Sequence, residues 1–462
     1  MARCEYHGPI TYKDDYTYWD TVVWACPHEA EPGQKLCIFH MPVESKNPQV
    51  FWDRFRRYLE AEQEEMREVP LPDKARPIIH CNGFEFPDME GDLFYEDCIY
   101  ELSFEGSVFN SIYGLSSIKY QKKVSFRYAL FKQPLFLEKA HFLGGVDFFE
   151  AKFGTLSFGE FLGCTFGNAT DFTEAELINR FEFADCDFIG SAVFENTITE
   201  KGISFNRSRF RGRALFRIKT KSGKPPEINF RNVETSPETV LKFVKSDLRR
   251  WSVSNTPGLE YAIFENVIWK TKPKDRKKIN DEELIGAEDN GVTYESTATA
   301  YRLLRLNYER RLAYEEASDF HIGQMEMMLK NPGTYWTKKA GLCLYKAVSN
   351  FGEGVGRPIL WFIGLGVAFA GFWAVKGFHY SDIDWVKLSY CHIWPWEVFR
   401  FEPDSLTWFN IGKTFVFSFK TFLTLPNIKD TAGTQLLGAL QRLLGGSVIT
   451  LFILALRRAF RR

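Results

Sequence analysis

The sequence predicts a β-solenoid followed by a helical segment and a two-span membrane domain, and three observations carry that reading. Large apolar side chains, mostly Phe, recur with a period of eleven from residue 104 to residue 216. Turn-forming residues punctuate the same stretch. Two long apolar segments near the C-terminus are flanked by basic clusters.

Composition points to a repeat. A chain of 462 residues has room for about three domains. Its 44 Phe residues and 16% aromatic content exceed what an ordinary core needs, which calls for an architecture that spends Phe at a fixed interval. The formal net charge of -1 argues against polyanion binding, so no nucleic-acid partner is expected.

The repeat alternates intervals of five and six: Phe104, Phe109, Leu115, Tyr120, Phe126, Phe131, Leu137, Phe142, Phe148 and Phe153. After two extra residues it resumes at Phe161 and runs to Phe216, with Thr199 in one of the large positions. A small residue follows the first aromatic of most blocks by three: Ser107, Ala129, Ala140, Ala151, Cys164, Ala175, Cys186 and Ser208, with Ile118 and Thr197 departing. A helix of eleven-residue period would need apolar residues at three and four rather than five and six. A solenoid satisfies the pattern, because each short face sends one large side chain to the axis and stacked coils bury the resulting column. With two blocks per coil, the regular part holds about five coils and roughly 24 Å of stack. Weaker blocks, INFRNV, FVKSDL and FENVIW, follow. The solenoid is placed at 95–269.

The blocks FRYALF, FFEAKF and FTEAEL resemble the Phe-rich, eleven-residue variety of pentapeptide-repeat proteins over about 170 residues. The resemblance implies a right-handed quadrilateral β-helix and, since that fold hosts no single activity, no particular function.

The first 60 residues read as a small cap. They hold Cys4, Cys26, Cys37 and His40, with Cys37 and His40 in C-x-x-H spacing and His7 and His28 as spare imidazoles. Thiolates with imidazole suit zinc, and a segment too poor in apolar residues to fold alone gains stability from such a staple. Four protein ligands leave no open position, so the zinc would be structural. The competing reading is reduced cysteines and surface histidines in a cap over the first coil. The nine cysteines form no paired framework, and the start lacks an apolar signal region, so the N-terminal part is expected to be cytoplasmic.

Residues 270–293 are dense in both charge signs and read as a solvated linker. The helical segment at 294–345 places Tyr301, Leu304, Tyr308 and Leu312 on one stripe and Phe320, Met327 and Met328 on another, which reads as the core of a helical hairpin. A similar stretch precedes the membrane helices of some archaeal pentapeptide-repeat membrane proteins, which this sequence resembles.

The membrane domain, 346–462, has spans at 358–378 and 436–456 and a re-entrant or interfacial helix at 408–426. In the first span Gly364 with Ala368 and Gly366 with Ala370 leave room for a close helix neighbour. Lysines and arginines before the first span and after the second place both ends in the cytoplasm of a plasma-membrane protein. The order helix, re-entrant helix, helix resembles the two-helix ion-channel family in layout. TFLTLPNIKD stands where a potassium channel has its T-x-G-Y-G filter, so potassium selectivity is not implied. Filter candidates are Thr424, Leu425 and Pro426. Pore-lining candidates are Gln441, Gly445, Val448 and Phe452, with Phe452 as a hydrophobic constriction. Arg442 lines the pore, snorkels to the interface or pairs with Asp430.

No nucleotide loop or nucleophile motif is present, so no catalysis is expected. The function read from the sequence is an oligomeric ion channel with a cytoplasmic solenoid that senses or assembles. The alternative is a membrane-tethered scaffold without transport. Expected partners are the lipid bilayer, further copies of the chain and a cytoplasmic ligand or protein on the solenoid.

Overall fold

The computed structural model describes the chain except residues 1, 14–18, 69–77, 89–96, 111–114, 155–158, 272–275, 288–290, 377, 381–382, 387–407, 424–431 and 461–462. Two compact units result: Met1–Leu312 with Asp319–Gln324, and Ala313–Ser318 with Met325–Arg462.

The first unit opens with an antiparallel hairpin, His7–Lys13 against Trp19–Ala25, followed by helix α1, Pro48–Glu68. A right-handed β-solenoid then forms from short parallel strands. Phe166 lies in register between Phe142 and Phe188, so one coil consumes two eleven-residue blocks, and the two extra residues are absorbed in the coil between Phe142 and Phe166. The stack starts at Ile78 rather than 95: Ile78–His80 pairs with Glu101–Ser103, and Glu85–Phe86 with Val108–Phe109. The sequence between Phe86 and Glu101 does not keep the eleven-residue spacing, so the period alone does not display this first coil.

Stacking explains the Phe content. Phe104, Phe126, Phe148, Phe172, Phe194 and Phe216 form one column, with ring centroids 4.7–5.4 Å apart and planes within 17° of parallel. Those distances match the spacing of hydrogen-bonded strands, so each ring lies over its equivalent one coil below. All six are buried.

The small positions have a second role beyond size. Ser208 and Thr197 donate their hydroxyls to the carbonyls of Phe183 and Phe172, both at 2.8 Å, and the Cys186 thiol donates to Phe161 at 3.2 Å. Thr197, which departs from the small-residue pattern, therefore fits by satisfying a buried carbonyl. The residue before each small position turns the corner with positive φ: Tyr128, Lys139, Glu150, Glu174, Asp185, Asn196 and Arg207 lie at +52° to +59°, and Gly106 and Gly163 at +67° and +63°.

A parallel stack ends on unpaired backbone groups. At the C-terminal end these are taken by α2, Asp281–Leu284, and α3, Tyr294–Arg310. The Asp281 carboxylate accepts the amides of Val253 and Ser254, both at 2.8 Å, and Asn307 donates to the carbonyls of Leu259 and Ala262. Arg276, Ile279 and Asp281 are buried, so this part of 270–293 seals the solenoid instead of floating in solvent as its charge suggests. Tyr301, Leu304 and Tyr308 face inward, whereas Leu312 is exposed. Helix α4, Tyr314–Lys330, contributes its middle, Asp319–Gln324, to this unit.

The second unit contains α5, Trp336–Ser349; α6, Gly356–Lys376; a short hairpin of Phe378–Tyr380 and Ile383–Val386; α7, Trp408–Leu423; and α8, Ala432–Ala459. Helices α6 and α8 are long and apolar enough to cross a membrane. Helices α6, α7 and α8 all touch.

Candidate metal centre

Local hydrogen bonding brings the four ligand candidates together. Cys4 and Cys26 flank the open end of the hairpin, held by the Cys4 amide on the His28 carbonyl and the Cys26 amide on the Tyr6 carbonyl. Cys37 and His40 share one tight turn, closed by the His40 amide on the Cys37 carbonyl at 3.0 Å. All four are buried, and their ligand atoms lie within 4.8 Å of one another.

The separations fit a tetrahedral ion. Zinc with Zn–S near 2.3 Å and Zn–N near 2.0 Å puts sulfurs about 3.8 Å apart and sulfur about 3.5 Å from nitrogen. Here Cys26 Sγ lies 3.7 Å from Cys37 Sγ, and His40 Nδ1 lies 3.6 Å from Cys4 Sγ and 3.2 Å from Cys37 Sγ. The His40 Nε2 donates to the Asn82 carbonyl at 2.9 Å. A carbonyl only accepts, so this bond fixes the proton on Nε2 and leaves the Nδ1 lone pair for a metal. The Asn82 side chain is in turn held by the Ser103 hydroxyl at 2.7 Å and the Glu105 amide at 3.2 Å.

Electrostatics single out Cys37 as the thiolate of the cluster. The Cys37 thiol is drawn down to about 3 by the hydrogen bond from Cys26 and by His40, while the same bond pushes Cys26 up. Burial raises Cys4. Tyr6 stacks on His40 at 3.9 Å and 12°. Gly83, at φ +67°, makes room for it: a Cβ there would come within 1.9 Å of the Tyr6 Oη.

The spare imidazoles stand apart. His7 is exposed, and His28 packs edge-on against Phe39 and Tyr58, where burial lowers its affinity for a proton. Asn82 escapes sequence reading because its contribution is a main-chain carbonyl, which any residue possesses.

The membrane candidates fall differently. Thr424, Leu425 and Pro426 lie outside the described residues, as does Asp430. Of the stripe expected to line a pore, Gln441, Gly445 and Val448 are buried within the chain, and Phe452 is half-buried. Gln441 accepts the indole proton of Trp373 in α6 at 2.7 Å and donates to the carbonyl and hydroxyl of Ser418 in α7. Its polarity is consumed by packing one chain together. Gly445 abuts the ring of Phe422, and Gly366 that of Phe419, so the glycine notches on α6 and α8 accept α7. Arg442 is half-buried and makes no hydrogen bond or ion pair among the described residues.

Fold and site together define a β-solenoid protein, compatible with pentapeptide repeats, that bears a buried Cys3His cluster able to bind a metal such as zinc and two helices apolar enough to span a membrane. Among known proteins, an uncharacterised protein of Methanocaldococcus jannaschii is 26% identical over 209 residues, 42% of this chain and 43% of that protein. The chain thus spans less than half the length of this relative. No known protein family matches the chain, and no solved structure does.

Proposed function

We propose that this chain is a membrane-anchored β-solenoid protein that offers its solenoid walls as a binding or assembly surface, with an N-terminal cap locked by zinc. The observation that carries this reading is the uncovered apolar surface of α6 and α8: only 22% of Gly356–Trp373 and 22% of Gln435–Arg458 is buried within the chain. Leu360 and Leu443 are 70% and 67% exposed. Leaving such area in water costs about 25 cal/mol per Å². A hydrocarbon core removes that cost. Since Phe columns fill the solenoid interior, recognition falls to its outer walls, and no catalytic role is assigned. The basic flanks of both spans favour a plasma-membrane protein with both ends in the cytoplasm.

The test is extraction and flotation of cell membranes. The chain should resist alkaline carbonate and float with vesicles, and release by carbonate would overturn the reading.

One observation favours an oligomeric ion channel as a second reading. Ser447 and Thr450 are exposed on the same side of α8 as the half-buried Arg442. An arginine within a span is costly unless it meets water or a partner. Two spans per chain enclose a pore only in an oligomer. Planar-bilayer recordings in which Arg442→Gln alters a current would favour it. Silence from well-formed oligomers would leave the scaffold reading alone.

A further inference from the structure

Helix α5 is amphipathic, and its uncovered side is the apolar one. Trp336, Ala340, Cys343, Leu344 and Ala347 fall on a single stripe at helical spacing, and all five are exposed, Trp336 by 78% and Leu344 by 63%. The opposite side is engaged: Val348 and Ser349 are buried, and Tyr345 packs edge-on against Phe351.

Four contacts fix the level of α5 relative to the spans. The Trp361 indole, one turn into α6, donates to the Ala347 carbonyl at 3.2 Å, and Arg357 donates to the Lys346 carbonyl at 3.1 Å. At the far end of α8, Arg458 donates to the Phe351 carbonyl at 3.0 Å and pairs with Glu353 at 2.7 Å. The chain therefore passes from α5 into α6 at the level where α8 ends, which is the level of a bilayer surface if α6 and α8 cross it.

Charge adds a direction. The first turn of α5 carries no acidic residue but has Lys338 and Lys339, against the preference of a helix N-terminus for negative charge. A sequence breaks such a local rule where something outside the helix compensates. Anionic headgroups do so, and they also explain why an apolar stripe ends in Trp336 beside lysines.

We propose that α5 lies in the cytoplasmic leaflet interface with its Trp336–Ala347 stripe immersed in lipid and its lysines on anionic headgroups. The proposal rests on the reading of α6 and α8 as membrane spans. Trp361, bonded to Ala347 at the end of the stripe, and its neighbours Ile359 and Leu360 in α6 are uncovered as well, and this apolar continuation into the span selects a lipid surface over a protein partner.

Spin labels test it on the full chain in nanodiscs containing phosphatidylglycerol. Cys343 is labelled in a Cys391→Ser background, and labels at Lys338→Cys and Leu360→Cys are compared after Cys343→Ser. At 343, collisions with oxygen should exceed those with a water-soluble nickel chelate several-fold, with the order reversed at 338. Trp336→Ser with Leu344→Ser, both at exposed positions, should move the 343 label toward water. Free access of the nickel chelate at 343 with lipid-like behaviour at 360 overturns the proposal alone. Exclusion of both reagents at 343 with spin–spin broadening also overturns it, by placing a second copy on the stripe. Water access at 360 as well brings down the membrane reading itself.

Discussion

His40 donates its Nε2 proton to the carbonyl of Asn82 at 2.9 Å, joining a candidate ligand of the N-terminal cap to the first coil of the solenoid. Asn82 itself is fixed by Ser103 of the second coil, so the site is braced by the stack that it closes. A metal held there would act as a staple between the N-terminal hairpin and the solenoid end.

Removing a ligand should therefore loosen the cap before the solenoid. Cys37→Ser is expected to abolish metal content and to expose the hairpin to protease, while the Phe columns stay folded. Chelator treatment of the unaltered chain should give the same digestion pattern. Limited proteolysis with metal analysis checks this, and a Cys37→Ser protein that keeps both its metal and its protease resistance would refute it.

The corners of the solenoid offer a gain in stability. Lys139, at φ +52°, holds a left-handed conformation that costs an L-residue about 1 kcal/mol or more. Its neighbour Ala140 is fully buried. Lys139→Gly should stabilise the chain by roughly 0.5 kcal/mol, after allowing for glycine's greater unfolded-state freedom. Ala140→Leu should destabilise by about 1–3 kcal/mol through overpacking. Thermal melts followed by tryptophan fluorescence would order the three proteins.

The column and its corners differ in how plainly the sequence displays them. The large side chains were legible because stacking imposes the same demand on every coil, and a demand repeated every eleven residues becomes a period. Most corners were not, since residues such as Tyr128, Lys139 and Glu150 occupy a conformation that glycine or asparagine would have announced. In the cap, Cys37 and His40 were legible as a spaced pair, whereas Asn82 acts through its backbone. In α8, Gln441 was read as pore-lining because a polar residue in a span suggests water. The direction in which it points depends on where Trp373 and Ser418 sit, which the α8 sequence alone does not encode.

Gln441 makes a direct prediction of its own. Gln441→Leu leaves the Trp373 indole without its acceptor and should lower stability in the bilayer by about 1–2 kcal/mol, the range of interhelical hydrogen bonds in lipid. Gly445→Leu should be worse, because a Cβ at 445 already falls 1.9 Å from the Phe422 ring. Unfolding in detergent or bicelles should rank unaltered protein, Gln441→Leu, Gly445→Leu in falling stability. Equal stability would place these residues on an uncovered face.

Asp147 gives the pH dependence. Burial raises its carboxyl, but Lys123 and Arg127, at 2.9 and 3.2 Å, outweigh burial and hold it below the ordinary carboxylate value. A depressed folded value means that the stabilisation is present above the unfolded pKa, about 3.9, and is lost as pH falls below it. The stability difference between the unaltered chain and Asp147→Asn should therefore shrink as pH falls below about 4. A difference that stays constant as the pH is lowered through this range in parallel melts would argue that the ion pair contributes nothing.

X-ray absorption at the zinc edge on protein purified without chelators tests the metal centre most directly. The account predicts one zinc per chain, four-coordinate, with three sulfurs near 2.3 Å and one nitrogen near 2.0 Å. Protein that folds without metal, or a first shell of oxygen and nitrogen alone, would contradict it.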